Sequence, residues 1–466
     1  MSVYSPRLRT ALVLAGSGTA GAYHAGVLRA LREAGVKIDI VCGAGVGVAG
    51  ALYAALDGGP RLWEADGIWR APGLSKLYGW RASLRAAAIS LIAALAALAA
   101  PAVLLIIAAV MTLISVVLGW AGLDATSAVV AGAARAMDVL FRPAALPALV
   151  PRLAALACLA LLLSLAGATI SAPARRRRHR GGWWWWPIAA PLTARGMDGR
   201  VRAGLWRIIR GAAPMAEPSP ADLSRRYAEM LADNLGQPGF CELIVTVHDL
   251  DARRDLVFAL LVGAQRKQFF ARGVSADARS HPDLIDLSGV GREHALDALG
   301  GAVRLPGLTD PHAMTFAPES YWRGEVHRLY SRPDALGRLL HEAHAAAVKQ
   351  VIIVTADSPI PGPHTLSAAR WDLRGRASDE LAAAGVGAVR DALTAYADRF
   401  QATFVIRPSH NPLGPLDFGG GYDEHSDRRF PLGELIDRGY EDAYRQFIEP
   451  IVGAEVAEGV GQRSEA

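Results

Sequence analysis

From Ala86 to Leu123 the chain runs for 38 residues without a charged side chain, and from Leu153 to Ala172 for 20 more. A helix needs about 20 apolar residues to cross a hydrocarbon core, so each run is long enough for one crossing. Pro101 interrupts the first run and separates the weakly hydrophobic "AALAALAA" from the stronger "VLLIIAAVMTLISVVL". One span over residues 103 to 122, in a helix kinked or begun near Pro101, is therefore expected, with a tight pair of spans as the alternative. The flanks set the orientation. Lys76, Arg81 and Arg85 precede the first run and "RRRRHR", Arg175 to Arg180, follows the second, whereas the intervening loop balances Arg135, Arg142 and Arg152 against Asp124 and Asp138. Positive charge stays on the cytoplasmic side, so both ends of the hairpin are expected there. Trp183 to Trp186 then fit an interfacial aromatic belt beside a patch attracted to anionic head groups. The opening "MSVYSPRLRTALVLAGSG" has too short an apolar stretch for a signal peptide. These features imply an integral membrane protein whose soluble part lies on the cytoplasmic face.

Outside the hairpin the pattern is α/β. Apolar strand-like runs recur at residues 10 to 16, 38 to 43, 242 to 250, 351 to 357 and 403 to 409, separated by helix-like stretches such as "AGVLRALREAG" and "LGRLLHEAHAAA". Strands alternating with helices imply a mostly parallel sheet covered on both faces. The expected organisation is residues 1–80 and 188–400 as two parts of one domain, 81–187 as the hairpin insertion, and 401–466 as a C-terminal extension. Composition narrows the function. Cys42, Cys158 and Cys241 are odd in number and in no C-x-x-C pattern, which excludes a disulfide framework or thiolate metal site. The net charge of +5 arises from 45 Arg and 4 Lys. No basic stripe interleaves with aromatics, so no nucleic-acid partner is expected.

Two glycine-rich turns carry the chemistry. "GSGTAG", Gly16 to Gly21, follows a strand and opens a helix. It satisfies the dinucleotide fingerprint, with Asp39 at a suitable distance to meet a ribose, although that acid falls inside the second strand. The second turn is "GAGVG": Gly43, Ala44, Gly45, Val46 and Gly47, between a strand and a small apolar helix. Strand, elbow and helix in this order are the setting in which hydrolases hold a nucleophile.

The order strand, glycine loop, helix, strand, elbow, helix over residues 10 to 55 resembles the patatin-like phospholipase family. "LADNLGQPGFCELIVTVHDLDARRDLVFAL" and "ALGGAVRLPGLTDPHAMTFAPESYWRGEVHRL" resemble further blocks of the same family, in matching order up to residue 356. The resemblance implies a three-layer α/β fold, here interrupted by the hairpin. It also implies an oxyanion loop at Gly16, Ser17, Gly18, Thr19, Ala20 and Gly21, an elbow serine, and a partner aspartate in a D-G-G/A motif. The matching positions are Gly45 for the serine and Arg323, in "RGE", for the aspartate; Ser17 replaces a glycine, and Ala20 an arginine or lysine. Glycine has no nucleophile, and an arginine stays protonated and cannot act as a base. Dyad catalysis is thereby excluded. A backbone nest at a helix N-terminus remains available for a carboxylate, phosphate or lipid head group, with Arg323 facing it. The expected function is a catalytically impaired, membrane-anchored member that binds membrane lipids or an acyl ligand, with no metal and no cofactor. The alternatives are a lipid acyl hydrolase with a displaced nucleophile, for which Ser17, Cys42 and His24 are nearest in sequence, and a dinucleotide-dependent oxidoreductase. The segment holding His410, Asp417, Asp423, His425 and Asp427 matches no metal-ligand spacing.

Overall fold

The computed structural model describes residues 4–120, a few positions between 131 and 138, and residues 146–171, 190–272, 283–358 and 372–452. The chain divides into two units, Met1–Gly79 with Thr193–Ala466, and Trp80–Leu192.

The first unit is built on a nine-stranded sheet. β1 (Thr10–Gly16) and β2 (Ile40–Gly45) lie side by side at its centre. β10 (Gln350–Val354) and β11 (Ala402–Ile406) extend the sheet beyond β1, and β5 (Glu242–Asp249) beyond β2, all parallel. β11 falls in the stretch expected as a C-terminal extension and forms the outer strand of the central sheet. On the far side β6 (Arg254–Leu260) turns back antiparallel on β5, and β7 (Leu284–Asp286) runs parallel to β6. A hairpin of β8 (His312–Thr315) and β9 (Val326–Tyr330) joins through β9 to the end of β5. The sheet is thus mixed and mostly parallel, as the repeated strand–helix alternation implies.

Both faces of the central strands are covered, which explains why they read as continuous apolar runs. Ala11, Val13, Ile40, Cys42 and Ala44 point to one face, where α10 (Leu336–Ala345) and α11 (Leu373–Tyr396) supply Leu336, Leu339, Ala343 and Val389. On the other face Leu14 meets α1 (Ala20–Glu33) and α2 (Gly47–Ala54), its side chain lying 2.8 Å from where a Cβ on Gly50 would be. α3 (Pro60–Trp63), α6 (Arg195–Arg210), α7 (Pro220–Asn234), α8 (Gly263–Ala271) and α9 (Ala295–Ala302) complete the unit. After β11 come a small ribbon, β12 (Gly421–Asp423) with β13 (Arg428–Phe430), and then α12 (Leu432–Ala443), which packs along α1. Glycines make that crossing very close: a Cβ on Gly26 would stand 1.8 Å from the Ile436 carbonyl oxygen, and one on Gly439 2.3 Å from that of Tyr23.

The second unit consists of α4 (Ala82–Trp120) and α5 (Leu146–Ser171), packed against each other. A ribbon of β3 (Gly79–Trp80) and β4 (Leu192–Thr193) joins the points where the chain leaves the first unit and returns. α4 corrects one expectation: the helix starts at Ala82 and continues unbroken through Pro101. The stretch long and apolar enough to cross a membrane is Ala82–Ala100, with Leu105–Trp120 and Arg152–Gly167 as shorter apolar pieces. Large apolar side chains stand out from both helices, among them Ile89 at 68% exposure, Leu113 at 65% and Leu162 at 62%. The Arg175–Arg180 and Trp183–Trp186 runs lie outside the described residues.

Candidate functional site

Ligands of open parallel sheets bind where the strands end at their carboxyl edge. Here β1, β2 and β10 deliver the glycine loop, the elbow and Asp357 to that edge. The register sets Gly16 directly beside Gly45, so the two glycine-rich turns meet as their sequence order implies. Both need glycine. Gly45 has φ +58° and Gly18 φ +54°, in the left-handed region where a Cβ collides with the backbone. A sharp strand-to-helix turn is therefore present, with a glycine at its centre.

The space above Gly45 is already filled. A Cβ there would lie 2.2 Å from the Gly16 carbonyl oxygen, which accepts a hydrogen bond of 2.9 Å from Val46 N–H. The amide after an elbow nucleophile is a standard oxyanion donor. In this chain that donor is spent on Gly16. On the other side of the cleft Thr19 N–H, at the start of α1, donates to the Pro415 carbonyl at 3.0 Å, and Thr19 Oγ1 donates to the Gly414 carbonyl at 2.9 Å. The loop expected as an anion nest thus has its Thr19 donor held by the chain's own backbone.

Between these groups is a cavity of about 20 Å³, bordered by Gly16, Ser17, Gly45, Ser331, Asp357 and Pro415. That is room for about one water, against several hundred Å³ for an ordinary ligand pocket. Ser331 is 4% exposed, and its Oγ lies 3.3 Å from the Cβ position of residue 45. A group that orients an elbow serine must sit within hydrogen-bond reach of its hydroxyl, and Ser331 is the side chain nearest the Cβ position of residue 45. Arg323 is elsewhere. It occupies the β8–β9 hairpin at φ +47°, its N–H bonded to the Ser320 carbonyl, and it does not border the cavity. Five residues of β9 separate that hairpin from Ser331, about 17 Å at strand spacing. The expectation that Arg323 faces the elbow is corrected accordingly: "RGE" is a hairpin turn, and the chain reaches the cleft at "YSRP". There Arg332 also lines the cavity, but its guanidinium is held by Asp334 and by Asp255 at 2.9 Å.

Burial shapes the titrating groups. Asp357 is crowded by α11, where a Cβ on Gly385 would come within 2.5 Å of its carboxylate. Desolvation pushes its pKa up to about 6. His24 lies wholly buried under the loop; its Nε2 bonds the Ala15 carbonyl at 3.1 Å, its Nδ1 has no partner, and burial lowers its pKa to about 4. Cys42 is fully buried in the core, where desolvation raises its thiol pKa far above the ordinary range, so it supplies no thiolate. Of the nearby nucleophile candidates only Ser17 borders the cavity. Asp39 precedes β2 at the opposite edge of the sheet and accepts the Thr10 N–H at 2.8 Å, so it is a strand length away from any dinucleotide on the glycine loop. Among the described residues there is no cluster of metal-ligating side chains. His410 instead pairs with Asp423 at 2.9 Å beside the His425 ring.

The fold and cleft define a class: an α/β protein with a mostly parallel sheet, in which a glycine loop and a sharp strand-to-helix turn meet at the carboxyl edge of the strands. Residues 12–104, which include the glycine loop and the turn at Gly45, match the family model described as patatin-like phospholipase. The similarity to characterised relatives is concentrated in a short stretch. The chain is 59% identical over 44 residues to the patatin-like phospholipase domain-containing protein ZK370.4 of Caenorhabditis elegans. It is 58% identical over 45 residues to patatin-like phospholipase domain-containing protein 6 of Homo sapiens. Each match spans 9% of this chain and 3% of the relative's length. The crystal structure of VipD from Legionella pneumophila aligns over 96% of this chain and 67% of its own, at 12% identity and a TM-score of 0.28, too low to place any residue of the site.

Proposed function

We propose that the chain is a membrane-anchored patatin-like protein that has lost serine–aspartate ester hydrolysis and acts by binding at a membrane surface. The observation that carries this reading is the filled elbow. Gly45 supplies no hydroxyl, and the Gly16 carbonyl occupies the space a serine side chain needs while consuming the Val46 donor. An oxyanion site works only if its donors are free to meet developing charge, and here two of them are already bonded. The exposed apolar surfaces of α4 and α5, with the basic and tryptophan-rich sequence that follows, support anchoring and contact with anionic lipid. In this closed form the cleft admits no acyl chain, so lipid contact is assigned to the hairpin and its flanks.

The test uses the full chain in nanodiscs. The expected result is no labelling by a fluorophosphonate probe, no hydrolysis of a short-chain p-nitrophenyl ester above buffer, and retention in vesicles of phosphatidylglycerol after high-salt and alkaline washes. Release by alkali would remove the anchor from the proposal. A second reading, a hydrolase with a displaced nucleophile, is favoured by one fact: Ser17, Ser331 and Asp357 share one small cavity. Fluorophosphonate labelling that disappears with Ser331→Ala or Ser17→Ala would establish that reading and overturn the first.

A further inference from the structure

The residues between β11 and β12 do more than connect them. Asn411 Nδ2 donates to the Ala356 carbonyl at 3.0 Å, beside Asp357, and Leu413 N–H returns to Asn411 Oδ1. Gly414 N–H bonds Asp417 Oδ2 at 2.8 Å, and Leu416 N–H bonds Ser378 Oγ of α11 at 3.3 Å. Leu413, Leu416 and Phe418 are buried, and the Phe418 ring stacks on Tyr78 at 5.4 Å. At the tip, Gly414 and Pro415 present their carbonyls to Thr19, and Pro415 forms one wall of the elbow cavity. The fit against the loop is close enough to require glycine: a Cβ on Gly18 would stand 1.7 Å from the Pro415 oxygen.

We infer that residues 411–418 form an internal cap whose Pro415 carbonyl occupies the glycine loop in the manner of a substrate carbonyl, holding the elbow cavity shut until the segment is released. Three features carry this beyond ordinary loop packing. The contact falls on an amide at the N-terminus of the fourteen-residue α1, a helix end whose amides suit an oxygen ligand. The cap is made of turns, with its anchors outside it: β11 sits in the sheet, and α12 is locked to α1 by the Gly26 and Gly439 crossings and by Tyr23 Oη donating to Asp442 at 3.0 Å. The segment can therefore lift while both ends stay in place. What it covers is a cavity that the loop, the elbow, Ser331 and Asp357 border together. The inference holds whether or not any hydrolysis survives.

A thiol placed under the cap reports its opening. In a Cys158→Ala background, Ser331→Cys puts a cysteine in the cavity, while Cys42 remains buried and Cys241 half-buried. Two variants displace the cap from opposite sides: Gly18→Ala through its collision with the Pro415 oxygen, and Phe418→Ala through loss of the Tyr78 stack. Iodoacetamide labelling of the cavity cysteine is expected to rise at least tenfold in each. Hydrogen exchange of residues 411–420 and of Thr19 N–H should rise with it, while β1, β2 and α2 keep their protection. Equal labelling rates with and without the Phe418 ring, or exchange at 411–420 that changes only when β1 and β2 also open, would overturn the inference. Gly18→Ala failing to fold leaves the decision with Phe418→Ala.

Discussion

Restoring a serine at position 45 is the most direct challenge to a filled elbow, and its cost can be worked from the geometry. The left-handed backbone at φ +58° costs a non-glycine residue about 1–2 kcal/mol. A Cβ 2.2 Å from the Gly16 oxygen forces that carbonyl away by about 1 Å, an overpacking of about 1–3 kcal/mol. Moving it breaks the bond from Val46 N–H, worth about 1 kcal/mol. The total for Gly45→Ser is about 3–6 kcal/mol, from which a new bond to Ser331 Oγ returns about 1 kcal/mol. Against a typical domain stability of about 5–15 kcal/mol, this is a large loss. Gly45→Ala should lose the same without that return. Urea denaturation of the full chain in detergent, followed by tryptophan fluorescence, measures the shift in midpoint. Ester hydrolysis by Gly45→Ser should stay at background, because a serine without its carboxylate partner is slower by on the order of 10⁴-fold. The geometry also chooses the partner substitution. Gly45→Ser with Ser331→Asp should react with fluorophosphonate faster than Gly45→Ser with Arg323→Asp. A Gly45→Ser protein as stable as the parent would refute the filled elbow, and equal labelling of the two double variants would refute the placement of Ser331.

Two groups near the cleft contribute to the pH dependence of stability in opposite directions. His24 titrates at about 4 in the folded chain, below its usual 6.5, so its stabilisation is complete above pH 6.5 and is lost as pH falls, on the order of 2 kcal/mol between pH 7 and pH 5. Asp357 titrates at about 6, above its usual 3.8, so stability is gained as pH falls through 6, on the order of 1 kcal/mol over the same range. Asp357→Asn should therefore steepen the acid loss and His24→Gln should lessen it, read as denaturation midpoints at the two pH values; unchanged slopes would dispose of both assignments. Gly439→Ala places a methyl 2.3 Å from the Tyr23 carbonyl and should destabilise by about 1–3 kcal/mol, with exchange rising in α12 before the central sheet. Simultaneous loss of protection in both would contradict a separable α12. Cys42 should resist iodoacetamide in the folded chain and react only after denaturation, as its burial requires.

Why some of this was legible and some was not follows from the kind of signal each part emits. β1, the glycine loop, α1, β2 and the elbow are local: apolar runs bounded by glycines at positions of positive φ, readable within 45 residues. Asp357 was readable in principle, since it closes the strand-like "VIIVTAD" at the carboxyl edge of a parallel strand. β9 was not, because it lies at the margin of the sheet and alternates exposed Val326 and Arg328 with buried His327 and Leu329, a weaker pattern than a doubly covered strand. Without β9 the register of "RGE" against the cleft could not be set, and Arg323 was expected at a cleft that Ser331 borders. The cap left no trace of its own. A backbone carbonyl from Pro415 meeting an amide at Thr19 uses no side chain that a motif could record.

The bond between Thr19 Oγ1 and Gly414 joins residues 395 positions apart, and β1 lies between β2 and β10. A ribosome adding about 5–20 residues per second needs about 20–80 s to travel from one end of that contact to the other. Until β10 is made β1 has an unpaired edge, until Gly414 and Pro415 follow the glycine loop has no cap, and both apolar helices α4 and α5 are made well before either. Biosynthesis thus meets the hydrophobic hairpin first and completes the cleft last. A nascent chain stalled before residue 350 would hold β1 and its loop open, and completion of β10 and β11 and docking of α12 would then seal the site from its C-terminal side.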